Sequence, residues 1–262
     1  SLAALSASAA GPIIYRAGAI AQSQLAWIDR SGKSLEPVGD ADSPLASPAL
    51  STDGRQVVIG RNIDSNWDLW LLDTARGVRT RLTSDPAIDL YAVWSPDGGR
   101  LAFSSTREGP VSLYTKSLTG TGQEDALPNT VGAVLTDWSS DGRFLLYRKT
   151  GPAANFDLWA LAMTGDRTPL PVAQSRFNER DGQFSPDGRW IAYGSDESGR
   201  SEIYVQPFPG PGDKTQASTA GGAQVRWRAD GKELFYVALD ARLMAIPMQM
   251  PSTGSTIVAG RP

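Results

Sequence analysis

SPDGRWIAYGS, residues 185–195, sets Pro186, Asp187 and Gly188 side by side and follows them with a run rich in aromatic and β-branched side chains. Proline fixes φ for the first central position of a tight turn, aspartate bonds to nearby amides, and glycine accepts the left-handed backbone that closes it. The run after it has β-strand character. Read locally, the stretch is a hairpin, and Asp187 is a turn residue rather than a working carboxylate.

The same turn recurs along the chain as STDGR from 51, SPDGG from 95, SSDGR from 139, SPDGR from 185 and RADGK from 228. Its glycines are Gly54, Gly98, Gly142, Gly188 and Gly231, a period of about 44 residues. One period before Gly54 stands Gly11 in SAAGP, a degenerate copy with Ala10 in place of the aspartate. Each intact turn is preceded by a bulky residue (Leu50, Trp94, Trp138, Phe184, Trp227) and followed by an apolar run such as VVIG, LAFSS, FLLYR, WIAYGS or LFYVAL. A third run follows, LAWID, DLWLLD, SLYTKS, DLWALA, EIYVQP and RLMAIP, and segments such as VRTRLTS and TPLPVAQ supply a fourth. Four strands per period of this length is the blade of a β-propeller.

The expected fold is therefore all-β, a six-bladed β-propeller with four-stranded antiparallel blades. It would form one propeller domain over 1–262, with blades near 1–42, 43–88, 89–132, 133–177, 178–222 and 223–262. No segment holds an i, i+3, i+4, i+7 apolar pattern over three turns, and 18 prolines with 27 glycines punctuate the chain too often for helices. A blade that is apolar on both faces must be covered by its neighbours. One large residue per period, Trp27, Trp70, Tyr114, Trp159, Tyr204 and Met244, is expected between blades, where an aromatic ring contributes several kcal/mol of gross burial, on the order of 25 cal/mol per Å². The first strand is expected from the N-terminus and STIVAGRP as the last, with an N-terminal strand joining the sixth blade as the competing arrangement.

Composition narrows the chemistry. The chain has no cysteine and no histidine, which removes disulfides, thiolate catalysis, Ser-His-Asp triads and His- or Cys-ligated metal sites. G-x-S-x-G, phosphate-loop and dinucleotide fingerprints are absent, and no enzyme activity is expected. A net charge of −3 without basic runs gives no reason to expect nucleic acid. No apolar run approaches the roughly 18 to 20 residues of a membrane span, so direct membrane insertion is not expected. SLAALSASAAGP at the start is read as part of the fold, and a chain beginning at Ser1 as processed or cut from something longer.

The pattern W-S-P-D-G-R-x-(I/L)-A-(F/Y)-x-S followed by G-x-x-x-(I/L)-Y resembles the repeat of TolB-type, WD-like propellers over essentially the whole chain. FNERDGQFSPDGRWIAYGSDESGRSEIYVQPFPGPG and RWRADGKELFYVALDARLMAIPM are similar to the propeller C-terminal to bacterial receptor-like serine/threonine kinases, and sometimes to winged-helix regulators. This repeat also occurs in the lid of prolyl-oligopeptidase-type hydrolases and in the TolB component of the Tol-Pal envelope system. The resemblance implies a non-catalytic binding, scaffold or sensor propeller in a periplasmic or otherwise extracytoplasmic place, with a cytoplasmic one left open. The alternative is a hydrolase-associated propeller, either such a lid or a carboxylate-based glycosidase. Sialidase Asp-boxes, S-x-D-x-G-x-T-W, do not match, because glycine here follows the aspartate directly.

If the D-G turns mark one end of the blades, the other end carries the loops between strands two and three and the links between blades. Those loops gather Asp64, Asp89, Arg107, Glu108, Glu179, Arg180, Asp181, Asp196, Glu197 and Arg200. Mixed charge with aromatics suits recognition of a peptide or protein segment by a monomeric ring. Asp137, Gln183 and Arg226, each one residue before the bulky anchor, are expected near the central channel, where a buried Arg226 would need a carboxylate partner. No cofactor is expected. Ca²⁺ is the cation that oxygen ligands alone would favour, but no D-x-D-x-D-G loop is present.

Overall fold

Glycine at the fourth position of each D-G turn has φ of 73°, 69°, 74°, 69° and 71° at Gly54, Gly98, Gly142, Gly188 and Gly231, the left-handed region that the hairpin requires. The turns close alike: the Gly188 amide donates to the Ser185 carbonyl at 2.9 Å, the Ser185 hydroxyl to Asp187 Oδ1 at 2.6 Å, and the Arg189 amide to the same oxygen at 3.1 Å. The serine then accepts the Trp190 amide at 3.0 Å. Ser51–Asp53, Ser95–Asp97 and Ser139–Asp141 repeat the serine bond at 2.5 to 2.7 Å. At Asp53 and Asp97 these bonds hold the carboxyls below the usual range. At Asp141 and Asp187 they do so against the opposing effect of burial.

The computed structural model describes all residues except 1–4, 8–12, 18–21, 30, 121, 211 and 252–256; the degenerate turn at Ala10 and Gly11 lies outside the described residues. The chain is all-β, a six-bladed propeller with four-stranded antiparallel blades, and among the described residues it has no helix. The strands run in chain order. Blade 1 is β1 (Leu5–Ala7), β2 (Ile13–Ala17), β3 (Ser23–Ile28) and β4 (Ser34–Asp42); blade 2 is β5 (Leu45–Leu50), β6 (Gln56–Ile63), β7 (Asn66–Asp73) and β8 (Arg79–Arg81). Blade 3 is β9 (Asp89–Trp94), β10 (Arg100–Ser105), β11 (Ser112–Ser117) and β12 (Glu124–Ala126); blade 4 is β13 (Val134–Trp138), β14 (Phe144–Thr150), β15 (Phe156–Ala162) and β16 (Pro169–Ala173). Blade 5 is β17 (Glu179–Phe184), β18 (Trp190–Ser195), β19 (Glu202–Pro207) and β20 (Thr215–Gln216); blade 6 is β21 (Ala223–Trp227), β22 (Glu233–Val237), β23 (Leu243–Gln249) and β24 (Val258–Ala259). The N-terminal strand pairs within blade 1, and the sixth blade takes all four strands from the C-terminal stretch.

Two compact units divide the chain, Ala3–Leu135 and Thr136–Pro262. In the first, one core cluster joins blades 1 and 2 through Ile14, Leu25, Leu45 and Ile59, with Trp27 and Trp70 against it, and another joins blades 2 and 3 through Val58, Leu69, Phe103 and Tyr114. The second unit repeats this: Leu146, Leu158, Tyr193 and Tyr204 join blades 4 and 5, and Trp190, Ile203, Leu234 and Tyr236 join blades 5 and 6 with Met244 alongside. Second strands are buried on both faces, completely so in β18, which explains apolar runs without alternation.

First strands carry a device that composition does not advertise. Ser47, Tyr91, Asp181 and Gln224 have φ of 47°, 56°, 54° and 54°, each within a register shift of blades 2, 3, 5 and 6. These are β-bulges at non-glycine residues, and they re-aim the side chains of the strand that carries them.

Candidate functional site

In blades 2 to 6 the D-G turn joins strands one and two, so the hairpin between strands two and three, and the link between blades, lie at the other end. The residues predicted to bind there fall into two groups. Asp64 and Glu108 are exposed; Asp64 sits on the β6–β7 turn with φ 51°. Arg180 is also exposed, its guanidinium 4.7 Å over the Phe156 ring. The others are held by partners.

In blade 3, Asp89 is fully buried at the start of β9 and Arg107 comes to it from the β10–β11 hairpin. Arg107 Nη2 donates to both Asp89 oxygens at 3.1 and 3.0 Å, Nε donates to Ser105 Oγ at 2.9 Å, and Nη1 donates to Glu124. Lys116 Nζ closes on Glu124 at 2.9 Å. The guanidinium lies 4.6 Å from the Tyr114 ring and 5.4 Å from Phe103. Burial pushes the Asp89 carboxyl up against the pull of Ser105 and Arg107. Burial also opposes ionisation of Glu124, yet bonds from Arg107 and Lys116 hold its carboxyl low.

Blade 5 builds the same framework 90 residues later with the charges rearranged. Glu179 stands opposite Ser195 in register, as Asp89 stands opposite Ser105. Tyr193 and Tyr204 stack at 6.2 Å and 29°, as Phe103 and Tyr114 do at 5.9 Å and 29°. Glu197 occupies the place of Arg107, and Lys214 that of Glu124, ion-paired to Glu197 and 5.5 Å over the Tyr204 ring. Glu179, only 2% exposed, accepts a 2.6 Å bond from Ser175 on Oε1, while its buried Oε2 has no partner. Its carboxyl is pushed up to about 7, first by burial and then by Asp157 and Glu197, with Ser175 and Lys214 pulling the other way.

Asp196 is spent locally, accepting the Asn178 amide at 2.8 Å and its Nδ2 at 2.7 Å. Arg200, although exposed, pairs with buried Glu202 at 2.7 Å and donates to the Thr219 carbonyl. Asp181, on its bulge, accepts the Gln224 amide at 3.3 Å.

Asp137, Gln183 and Arg226 lie on the adjacent first strands β13, β17 and β21. Asp137 accepts the Phe184 amide at 2.8 Å, Gln183 Nε2 donates to the Thr136 carbonyl at 3.0 Å, and Trp227 Nε1 donates to the Gln183 carbonyl at 3.3 Å. Burial pushes the Asp137 carboxyl up to about 7, opposed by backbone bonds and Arg226. Arg226 donates to its neighbour's carbonyl, Val225 O, at 2.7 Å. The expected carboxylate contact is not formed, since Arg226 has no ion pair among the described residues and feels Asp181 and Asp137 only at longer range. Burial lowers its pKa and those two carboxylates oppose it.

Sequence reading passed over Asp68, Asp157 and Glu202, the buried acids that open the third-strand runs DLW, DLW and EIY. Asp68 pairs with Arg81 at 2.5 Å; Glu202 accepts from Ser218, the Gly221 amide and Arg200; Asp157 accepts Asn155 Nδ2 at 2.9 Å. Their recurrence at one place in the repeat was the available signal. No group of three or more acidic residues among the described residues is arranged to hold a metal ion.

Comparison with known proteins places this architecture. The profile of the TolB beta propeller domain matches residues 13–180. The chain belongs to that family. The Tol-Pal system protein TolB of Wolinella succinogenes is 24% identical over 193 residues, covering 69% of this chain and 45% of the relative; that of Helicobacter pylori strain 26695 is 29% identical over 83 residues, covering 32% and 20%. The chain thus matches less than half the length of these curated relatives. The crystal structure of TolB from Acinetobacter baumannii superposes with a TM-score of 0.67 at 20% identity, over 79% of this chain and 52% of that one, a likeness of fold.

Proposed function

We propose that this TolB-type propeller is a non-catalytic binding or scaffold domain that recognises a peptide or protein segment through the hairpin ends of its blades, opposite the D-G turns. One observation carries the choice of end. The D-G carboxylates are consumed inside their own turns, whereas the hairpin end presents Asp64, Glu108 and Arg180 to solvent and leaves Glu179 with an unsatisfied oxygen. Family membership and relatives named for the Tol-Pal system support a protein partner and an extracytoplasmic place, and favour this reading over the hydrolase-associated alternative. A sensor or scaffold part of an envelope protein suits it, the propeller of a receptor-like kinase being the arrangement that the sequence resembles. The chain contains neither histidine nor cysteine, in keeping with a binding role. No cofactor is part of the proposal.

Panning a displayed peptide library against the purified chain tests it. Selected peptides should lose binding to D64A/E108A or to R180A, each assayed separately, and keep it with Arg55→Glu and Arg143→Glu at the D-G end. Binding that survives the first set and disappears in the second would place recognition at the other end.

A further inference from the structure

Blade 3 and blade 5 differ by exchanges of charge that leave a buried carboxylate without its cation. In blade 3 two acids, Asp89 and Glu124, meet two cations, Arg107 and Lys116, over the Phe103–Tyr114 floor. In blade 5 the corresponding floor carries Glu179 and Glu197 against Lys214 alone, and Lys214 is engaged by Glu197. The preceding blade adds to the imbalance. Asp68 of blade 2 is paired with Arg81, which faces Trp70 in register; in blade 4 the residue facing Trp159 is Pro171, and Asp157 has no ion pair among the described residues. Three carboxylates therefore share one ammonium, and the most buried of them, Glu179, holds an oxygen with no hydrogen-bond donor. A buried carboxylate oxygen left in this way costs free energy unless it is protonated or receives a cation from outside.

We infer that the hairpin end of blade 5 is a receptor for a guanidinium group, an arginine of a protein partner taking the place of Lys214 over the Tyr204 ring to meet Glu179 as Arg107 meets Asp89 within blade 3. Arginine suits the site better than a metal ion. Its planar fork matches a carboxylate and stacks on an aromatic face, as Arg107 already does on Tyr114. The inference rests on the proposed function and gives it a chemistry. The charged and titratable groups facing Glu179 are Asp157 from β15, Tyr193 from β18, Glu197 from the β18–β19 hairpin and Lys214 ahead of β20. Arginine entry should accordingly expel a proton from Glu179 near neutrality.

The probe is the blocked tripeptide acetyl-Gly-Arg-Gly-amide, with its citrulline analogue as control, followed on the full chain by the ¹³C-carboxyl resonance of Glu179. The arginine peptide should shift that resonance saturably and move its titration midpoint to lower pH; the citrulline peptide should do neither. Glu197→Arg, which supplies in cis the guanidinium of blade 3, should raise the melting temperature and weaken the peptide at least tenfold, and Glu179→Gln should weaken it as much. Equal binding of the two peptides, or undiminished binding by Glu197→Arg, overturns the inference. Should Glu179→Gln fail to fold, the Glu197→Arg arm decides alone. A panned partner that needs Arg180 yet ignores Glu197→Arg removes this inference and leaves the proposed function standing; a partner lost only in the D-G-end variants removes both.

Discussion

One nitrogen of Arg107 lies 3.1 and 3.0 Å from the two oxygens of Asp89, a carboxylate with no exposed surface. Removing one member of such a pair strands the other in a medium that solvates it poorly. Arg107→Ala should therefore lower the unfolding free energy by about 3–5 kcal/mol, read by urea denaturation at neutral pH. Arg107→Lys should recover only part, since an ammonium cannot reproduce the fork. The deficit of the alanine variant should shrink in acid as Asp89 takes a proton.

Stability should depend on pH through Glu179. Its carboxyl is held at about 7 in the fold against an ordinary value of 4.5, so the folded state binds more protons than the unfolded state between those values. The stabilising contribution of the protonated form is complete below about pH 4.5 and disappears as pH rises through about 7. The span corresponds to at most about 3 kcal/mol. Glu179→Gln should flatten that descent, and Glu179→Gln with Asp137→Asn should flatten it further, because Asp137 is shifted in the same direction. A melting temperature of the wild type that rises between pH 5 and 8 would contradict this.

The D-G turn is structural and should behave so. Nothing obstructs a methyl group at Gly188 within 3.9 Å, so the cost of Gly188→Ala is that of its φ of 69°, about 1–2 kcal/mol. Asp187→Ala should cost about 1 kcal/mol through lost turn bonds. Chemical denaturation measures both, and neither change should alter affinity for a panned peptide.

Ser218 is a clasp between strands. Its hydroxyl accepts the Ile203 amide at 2.8 Å and donates to buried Glu202. Ser218→Ala should cost about 2–3 kcal/mol by leaving both without their partner. Ser218→Thr should be nearly silent in the same denaturation assay, because Thr83 and Thr130 take the Leu69 and Leu113 amides at 3.0 Å in blades 2 and 3.

The blade architecture was legible because its turns depend on one residue type. Only glycine adopts positive φ freely, and Gly54, Gly98, Gly142, Gly188 and Gly231 mark the repeat without reference to the rest of the chain. The bulges at Ser47, Tyr91, Asp181 and Gln224 were not legible, since tertiary packing holds ordinary residues there in a conformation that their identities do not announce. Asp89 and Glu179 stood in polar loop-like stretches and were grouped with exposed charges. Strand register turns both inward, and nothing short of pairing reveals that. The 90-residue correspondence between Arg107 and Glu197 lay in the sequence throughout, but the exchange gains meaning only once both are seen over the same aromatic floor.

Recognition at the hairpin end is the central claim, and hydrogen–deuterium exchange of the chain with and without a panned peptide tests it most directly. Backbone protection should appear at 174–180 and 195–201, the link into blade 5 and its β18–β19 hairpin, while the 185–189 turn of the same blade stays unchanged. Protection confined to 185–189 and the other D-G turns, with 195–201 exchanging as in the free protein, would contradict it.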